Sequence, residues 1–215
     1  MKKVIYLLSG LALLVVSNVY AAIDYKSGPY VGGQLGGSIV DEGSGYGQYI
    51  NTSSVGNFTG IGWRAYAGYS FTPFLSLESG YSSYYKVKYT SSAGNIQLST
   101  YTIDLVGKLT LPLGKISDSL SHFSVYGKGG GAYVNMHTDM STPTVAVSKT
   151  VGTIRPTYGA GIIFSFNDNI AIDLSWMGIL GRARLKPTDN AVLAQPVPNC
   201  NLFTFGLAYK FTGMV

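Results

Sequence analysis

Large apolar and small or polar residues alternate one for one along most of this chain. In FTFGLAYKF, residues 203–211, Phe203, Phe205, Leu207, Tyr209 and Phe211 are large and apolar, and the residues between them are small or polar. A two-residue period places the large side chains on one face of a β-strand. No segment beyond the N-terminus has a helical period of comparable strength. The alternation predicts eight strands, near 29–38, 60–71, 74–89, 96–112, 122–137, 153–166, 170–181 and 201–211.

The links between these segments are unequal in a regular way. Thr72 and Pro73 join the second strand to the third, Asn167 to Asn169 join the sixth to the seventh, and GKISDSLS joins the fourth to the fifth. The other links are IVDEGSGYGQYINTSSVGNFTG, TSSAGN, TDMSTPTVAVSKT and a stretch from about Arg182 to Cys200. Successive strands of an up-and-down barrel emerge at opposite rims, so short turns and longer loops alternate. The fold class expected is all-β: an eight-stranded antiparallel up-and-down transmembrane β-barrel.

The two faces set the medium around it. In the third strand Leu75, Leu77, Tyr81, Tyr85 and Val87 share one side, and Ser76, Glu78, Gly80, Ser82 and Lys86 the other. In the fourth, Ile103, Leu105, Leu109 and Leu111 oppose Thr102, Asp104, Lys108 and Thr110; in the seventh, Ile170, Ile172, Leu174 and Trp176 oppose Ala171, Asp173 and Ser175. A soluble eight-stranded barrel would crowd its outer face with charge. Small residues with a few opposite charges instead suit a narrow lumen, which leaves the apolar face to lipid. Tyr69, Phe71 and Phe74 flank a short turn and Tyr85 and Tyr89 lie at the far strand end, as interfacial aromatic belts require.

Composition changes the picture in four respects. Charged residues are 12% of the chain, about half the usual ~25%. Residues 1–21 have Lys2 and Lys3, an apolar run and a Val19-Tyr20-Ala21 cleavage site, the layout of a secretory signal peptide. Residues 22–215 are then the barrel domain, with no linker or composition break to divide them. Removing Lys2 and Lys3 from the 15 basic residues leaves 13 against 10 acidic ones, scattered along the chain, which argues against nucleic acid. Cys200 is the only cysteine, so no intrachain disulfide is possible.

Catalytic chemistry is poorly supported. His122 and His137 are the only histidines, and the predicted fifth strand separates them to opposite ends. Ser124, beside His122, faces inward at the short-turn rim. No G-x-S-x-G, H-E-x-x-H, P-loop or zinc spacing occurs, and no cofactor or metal is expected.

The ordered set of segments resembles the OmpA-like transmembrane domain family of Gram-negative outer membranes over about residues 22–211. GYSFTPFLSLESGY (68–81) is similar to the family's second hairpin, GKLTLPL (107–113) to its fourth strand, YGKGGGAYV (126–134) to its fifth, and YGAGIIFSFNDNIAIDLSW (158–176) to its sixth and seventh. The resemblance implies an outer-membrane location and a final aromatic, here Phe211 with Tyr209, read by the assembly machinery. Thr212 to Val215 extend past that usual end. It implies inner charges that pair and plug the lumen, at Glu78, Lys108 and Lys128. The sixth-strand acid is missing, with Phe164 near its place, and Asp173 stands where the seventh strand has a base. Arg64, Glu78, Asp104, Lys108, Lys128 and Asp173 are therefore expected to form one network, with Asp173 paired to Lys128 or Lys108. No counterpart of the family's peptidoglycan-binding domain is expected.

The function expected is structural and surface-interacting: envelope integrity, adhesion or host contact through extracellular loops, without catalysis. Expected partners are the lipid bilayer, lipopolysaccharide, the assembly machinery and host surface molecules. Arg182, Arg184 and Lys186 are candidate loop contacts. The alternatives are a narrow low-conductance porin and, more distantly, a lipid-modifying outer-membrane enzyme.

Overall fold

The computed structural model describes residues 27–41, 57–91, 94–141, 146–181 and 199–211. The strands are β1 (Gly28–Asp41), β2 (Asn57–Ser70), β3 (Leu75–Ser83), β4 (Val87–Ser91), β5 (Gly94–Pro112), β6 (Phe123–Ser141), β7 (Ala146–Ser165), β8 (Ile170–Ile179) and β9 (Asn199–Lys210). Two single 3-10 turns, Leu113–Lys115 and Asp118–Leu120, link β5 to β6.

Every pairing is antiparallel, and β1 pairs with both β2 and β9, which closes the sheet on itself. β3 and β4 both pair with β5, so they are two parts of one barrel strand and the barrel is eight-stranded. Closure lets the backbone satisfy its own polar groups in hydrocarbon, where an open edge would be costly.

The break between β3 and β4 corrects the expected facing of that strand. Ser83 pairs with Tyr101 and Val87 with Leu98, so Tyr84, Tyr85 and Lys86 oppose only Ser99 and Thr100. One extra residue in a ladder reverses the phase beyond it. Tyr84 and Val87 are buried inside, Lys86 faces out, and Tyr85, though partly exposed, turns its ring to the inward side of Gly60 and so leaves the side of Leu75 as well. Val87 thus leaves the side of Leu75, and Lys86 leaves that of Glu78. Tyr85 fastens the bulge to β1, past β2: its N–H donates to Ser38 Oγ at 3.1 Å. Its ring lies where a side chain at position 60 would go, so only glycine fits at Gly60.

Outside, apolar residues form a continuous band. Leu35, Ile103, Leu105, Leu109, Leu174, Phe205 and Leu207 are each at least half exposed. Aromatic pairs edge it at both ends. Near the short turns lie Tyr69–Phe71 at 5.2 Å, Phe123–Phe164 at 4.9 Å and Tyr209–Phe211 at 4.9 Å between ring centroids. Toward the loops lie Trp63–Tyr81 at 5.4 Å and Tyr158–Trp176 at 5.3 Å. Phe164 belongs to this outer belt; the inward position next to it is Ile163. The Tyr89 side chain lies outside the described residues.

Strand length is uneven on the loop side. β5, β6 and β7 run 19, 19 and 20 residues, while ~9–11 tilted residues cross a bilayer. β6 and β7 continue to Ser141 and from Ala146, past the expected limits near 137 and 153.

Candidate functional site

The interior is built in layers along the barrel axis. At the short-turn end a cavity of about 170 Å³ is lined by polar groups that include Ser76, Thr110, Ser124 and Lys210. Tyr30, Lys108 and Asp173 form its inner wall.

Next comes an ionic layer, with all six expected charged residues inside: Arg64, Glu78, Asp104, Lys108, Lys128 and Asp173 are each at most 6% exposed. Arg64 Nη2 lies 3.0 Å from Glu78 Oε1 and donates to Asp104 Oδ1 at 2.8 Å, while Nη1 contacts Asp104 Oδ2 and donates to Ser82 Oγ at 3.2 Å. Glu78 also meets Lys128 Nζ at 3.1 Å and Lys108 Nζ at 3.7 Å, and accepts from the Tyr30 hydroxyl at 3.2 Å. A Cβ at Gly80 would collide with the Arg64 guanidinium, so glycine makes the room that arginine fills.

Asp173 differs from expectation. Neither Lys108 nor Lys128 pairs with it; it accepts from Tyr66 at 3.0 Å and from Tyr126 at 2.8 Å. Lys108 Nζ instead lies 4.1 Å from the centroid of the Tyr126 ring. The reason is geometric: the tyrosine hydroxyls reach Asp173 first, and the lysines converge on Glu78. Three cations and three carboxylates still cancel within the layer. Such cancellation matters because an unmatched buried charge costs several kcal/mol.

Above the ions the character changes. Val40, Tyr84, Val87, Leu98, Ala132, Val134, Met136, Ile179, Cys200 and Leu202 form a buried apolar cluster across the loop-side interior, none more than 4% exposed. A lumen of small residues with a few opposite charges is the expectation, so this lid of large apolar side chains is a departure. Its sequence signal was the inward phase of Leu98, Val134, Met136 and Leu202. Cys200 is buried in it.

The histidines stay apart. His122 Nδ1 is 2.9 Å from Ser165 O at the short-turn rim. His137 lies on the loop side of β6, with Nδ1 at 2.8 Å from Thr150 Oγ1 and Nε2 at 3.1 Å from Asp139. Among the described residues no group of three or more His, Cys, Asp or Glu is placed to hold a metal. At the C-terminal end the Phe211 N–H donates to Pro29 O at 2.9 Å, and Tyr209 faces outward. Arg182, Arg184 and Lys186 lie outside the described residues, as do residues 1–26.

Comparison with known proteins agrees with this architecture. A relative in Coxiella burnetii (strain RSA 493 / Nine Mile phase I), an uncharacterized protein, is 32% identical over 86% of each chain. Outer membrane protein A of Klebsiella aerogenes is 24% identical over 85% of this chain, which spans about half (48%) of that relative. The crystal structure of Neisserial surface protein A superposes with a TM-score of 0.56 at 16% identity, covering 87% of this chain and all (100%) of that one. Ail of Yersinia pestis, in complex with the heparin analogue sucrose octasulfate, gives 0.52 at 17% identity, over 88% of this chain and 100% of that one. Residues 26–214 match the model of the OmpA-like transmembrane domain. The chain is a bacterial outer-membrane β-barrel and belongs to the OmpA-like transmembrane domain family.

Proposed function

We propose that this barrel is a closed structural element of the outer membrane whose work is done at its outer surface, in envelope integrity, adhesion or host contact, without catalysis. The observation that carries the reading is the double obstruction of the interior, an ionic layer centred on Glu78 below an apolar lid centred on Leu98, Met136 and Leu202. A lumen filled in this way leaves the extracellular loops as the accessible part. Loops on a rigid frame commonly carry recognition. Arg182, Arg184 and Lys186 are the loop cations for lipopolysaccharide phosphates or sulfated host sugars, and Ail, of the same architecture, was crystallised with such a sugar analogue. The separation of His122 from His137 supports the non-catalytic reading.

Export follows the same reading. Residues 1–21 are removed as a signal peptide, residues 22–215 cross the periplasm, and the assembly machinery recognises the strand ending in Tyr209 and Phe211. The low-conductance porin reading draws on the polar cavity at the short-turn rim.

Deleting each extracellular loop in turn and measuring cell adhesion tests the proposal. Heat-modifiable gel migration reports that each variant is folded. Loss of adhesion with a folded barrel is the expected result; undiminished adhesion in every deletion would refute the surface role.

A further inference from the structure

The bulge between β3 and β4 changes what the outer wall presents above the lipid. Without it Lys86 would keep the inward phase of Glu78 and Ser82 and end among the apolar side chains of the lid. With it, Lys86 and Lys88 both stand exposed on the outside, two residues apart. Bulges commonly re-aim a side chain in this way. This one is held in place, because the Tyr85 N–H bonds Ser38 Oγ and the Tyr85 ring fills the space that Gly60 leaves.

Position along the strand sets the depth of the two lysines. From the short turn upward, β3 presents Leu75 and Leu77 to lipid, then Tyr81, and the lysines follow. Tyr81 belongs to an aromatic row, 5.4 Å from Trp63 and 6.2 Å from Tyr101 between ring centroids. At ~3.3 Å per residue and a tilt of ~40°, Lys86 stands roughly 10 Å farther along the membrane normal than Tyr81. Such rows mark the interface, so the lysines lie at headgroup depth. The longer links leave the barrel at this end, which makes the leaflet the outer one.

The surroundings favour an anion. Among the described residues neither lysine forms an ion pair or a cation–π contact. The carboxylate described on this part of the wall, Asp139, is 3.1 Å from His137 Nε2, and Gln97 on β5 separates it from Lys88. Same-face residues two apart on a strand are ~6.6 Å apart, a span over which two flexible ammonium groups close on one phosphate. Gln97 is the cross-strand partner of Lys88, and Ser99 follows it on the outer side of β5; both suit sugar hydroxyls. A partner protein would have to displace lipid to reach this depth, whereas a lipid headgroup is already there. β4 pairs with β5 and not with β2, and charge at such an edge also discourages strand addition, a role indifferent to which anion is met.

We propose that Lys86 and Lys88 form a docking site on the outer wall of the barrel for the phosphate of an outer-leaflet glycolipid, lipopolysaccharide. The site rests on the outer-membrane location and is separate from the loops that carry the surface reading above.

The probe is purified diphosphorylated lipid A, the membrane anchor of lipopolysaccharide, added to the full chain folded in detergent micelles, with native mass spectrometry counting bound lipid. Enzymatically dephosphorylated lipid A and inorganic phosphate are the comparison ligands. Lys86→Gln with Lys88→Gln removes the site, Lys86→Arg with Lys88→Arg keeps its charge, and Lys115→Gln with Lys149→Gln removes the same charge elsewhere. Heat-modifiable migration reports that each variant is folded. One lipid bound saturably is expected, about tenfold or more weaker for the dephosphorylated lipid and for the double glutamine variant at positions 86 and 88. The arginine variant and the variant altered at positions 115 and 149 are expected to bind within about twofold of the unaltered protein. Equal binding by the glutamine variant at 86 and 88 would overturn the proposal, as would equal binding of dephosphorylated lipid, which would leave the lysines as edge-guarding charges. Displacement of the lipid by millimolar inorganic phosphate would also overturn it, because the site would then be one for a free anion. Loop-dependent adhesion with no lipid preference would overturn the wall site alone and leave the surface role standing.

Discussion

Lys108 and Lys128 face each other as direct cross-strand partners on β5 and β6, and both are buried in the barrel interior. Like charges in that position repel. Glu78, reaching over from β3, holds both, with Nζ–carboxylate distances of 3.7 and 3.1 Å, and Arg64 on its other flank at 3.0 Å. The arrangement makes Glu78 the group on which the interior charge balance turns.

Replacing Glu78 with glutamine therefore leaves Arg64, Lys108 and Lys128 against only two carboxylates. The expected loss is about 3–5 kcal/mol, the usual consequence of stranding a buried charge. Urea titration followed by heat-modifiable migration measures it. Adding Lys128→Met to Glu78→Gln is expected to restore part of the loss, because the charges match again.

At Asp173 a different failure is expected. Asp173→Leu strands the Tyr66 and Tyr126 hydroxyls without their acceptor, at about 1–3 kcal/mol for each unsatisfied group. Asp173→Asn keeps an acceptor oxygen and is expected to lose less. The ordering of the two unfolding midpoints is the check; equal midpoints would mean that the tyrosine bonds contribute little.

The outer face has its own test. Leu105 and Leu207 are each more than half exposed in the apolar band. Leu105→Arg or Leu207→Arg is expected to cost about 2–4 kcal/mol when placed at the bilayer midplane. Reversible folding into phospholipid vesicles measures the difference, and Lys88→Arg, on the loop side, is expected to change it little.

Phe211 is predicted to act in assembly rather than in stability. Its ring meets Tyr209 at 4.9 Å and its N–H bonds Pro29. Phe211→Ala should lower the amount of folded protein in the outer membrane severalfold while changing the vesicle-folding midpoint modestly. A midpoint that falls in step with the cellular amount would argue for a purely structural residue.

Much of the barrel was legible in the alternation because lipid outside and a tight lumen inside impose opposite demands on successive residues. Leu105 and Asp104, or Leu174 and Asp173, are assigned to their faces by that rule alone. Where the rule lapses, the sequence misleads. The extra residue at Tyr84–Lys86 reverses the phase, and nothing in the local composition marks it, so Val87 and Lys86 change sides. The upper ends of β6 and β7 fall outside the predicted strands because TDMS and AVSKT lack apolar alternation. Above the bilayer the hydrogen-bond ladder alone sustains the strands. The lid escaped notice because Leu98, Val134 and Met136 are ordinary strand residues one at a time. Only the register brings them together. Counting charge along the sequence pairs Asp173 with a lysine, whereas the reach of the Tyr66 and Tyr126 hydroxyls shows only in three dimensions.

The obstruction of the lumen is tested most directly by planar-bilayer recording of the purified full chain, at both polarities, beside a Leu98→Ser, Met136→Ser, Leu202→Ser variant. The unaltered protein is predicted to give no resolved openings, and the variant, with its apolar lid made wettable, to give small discrete steps. Stable, large openings from the unaltered barrel would contradict the account.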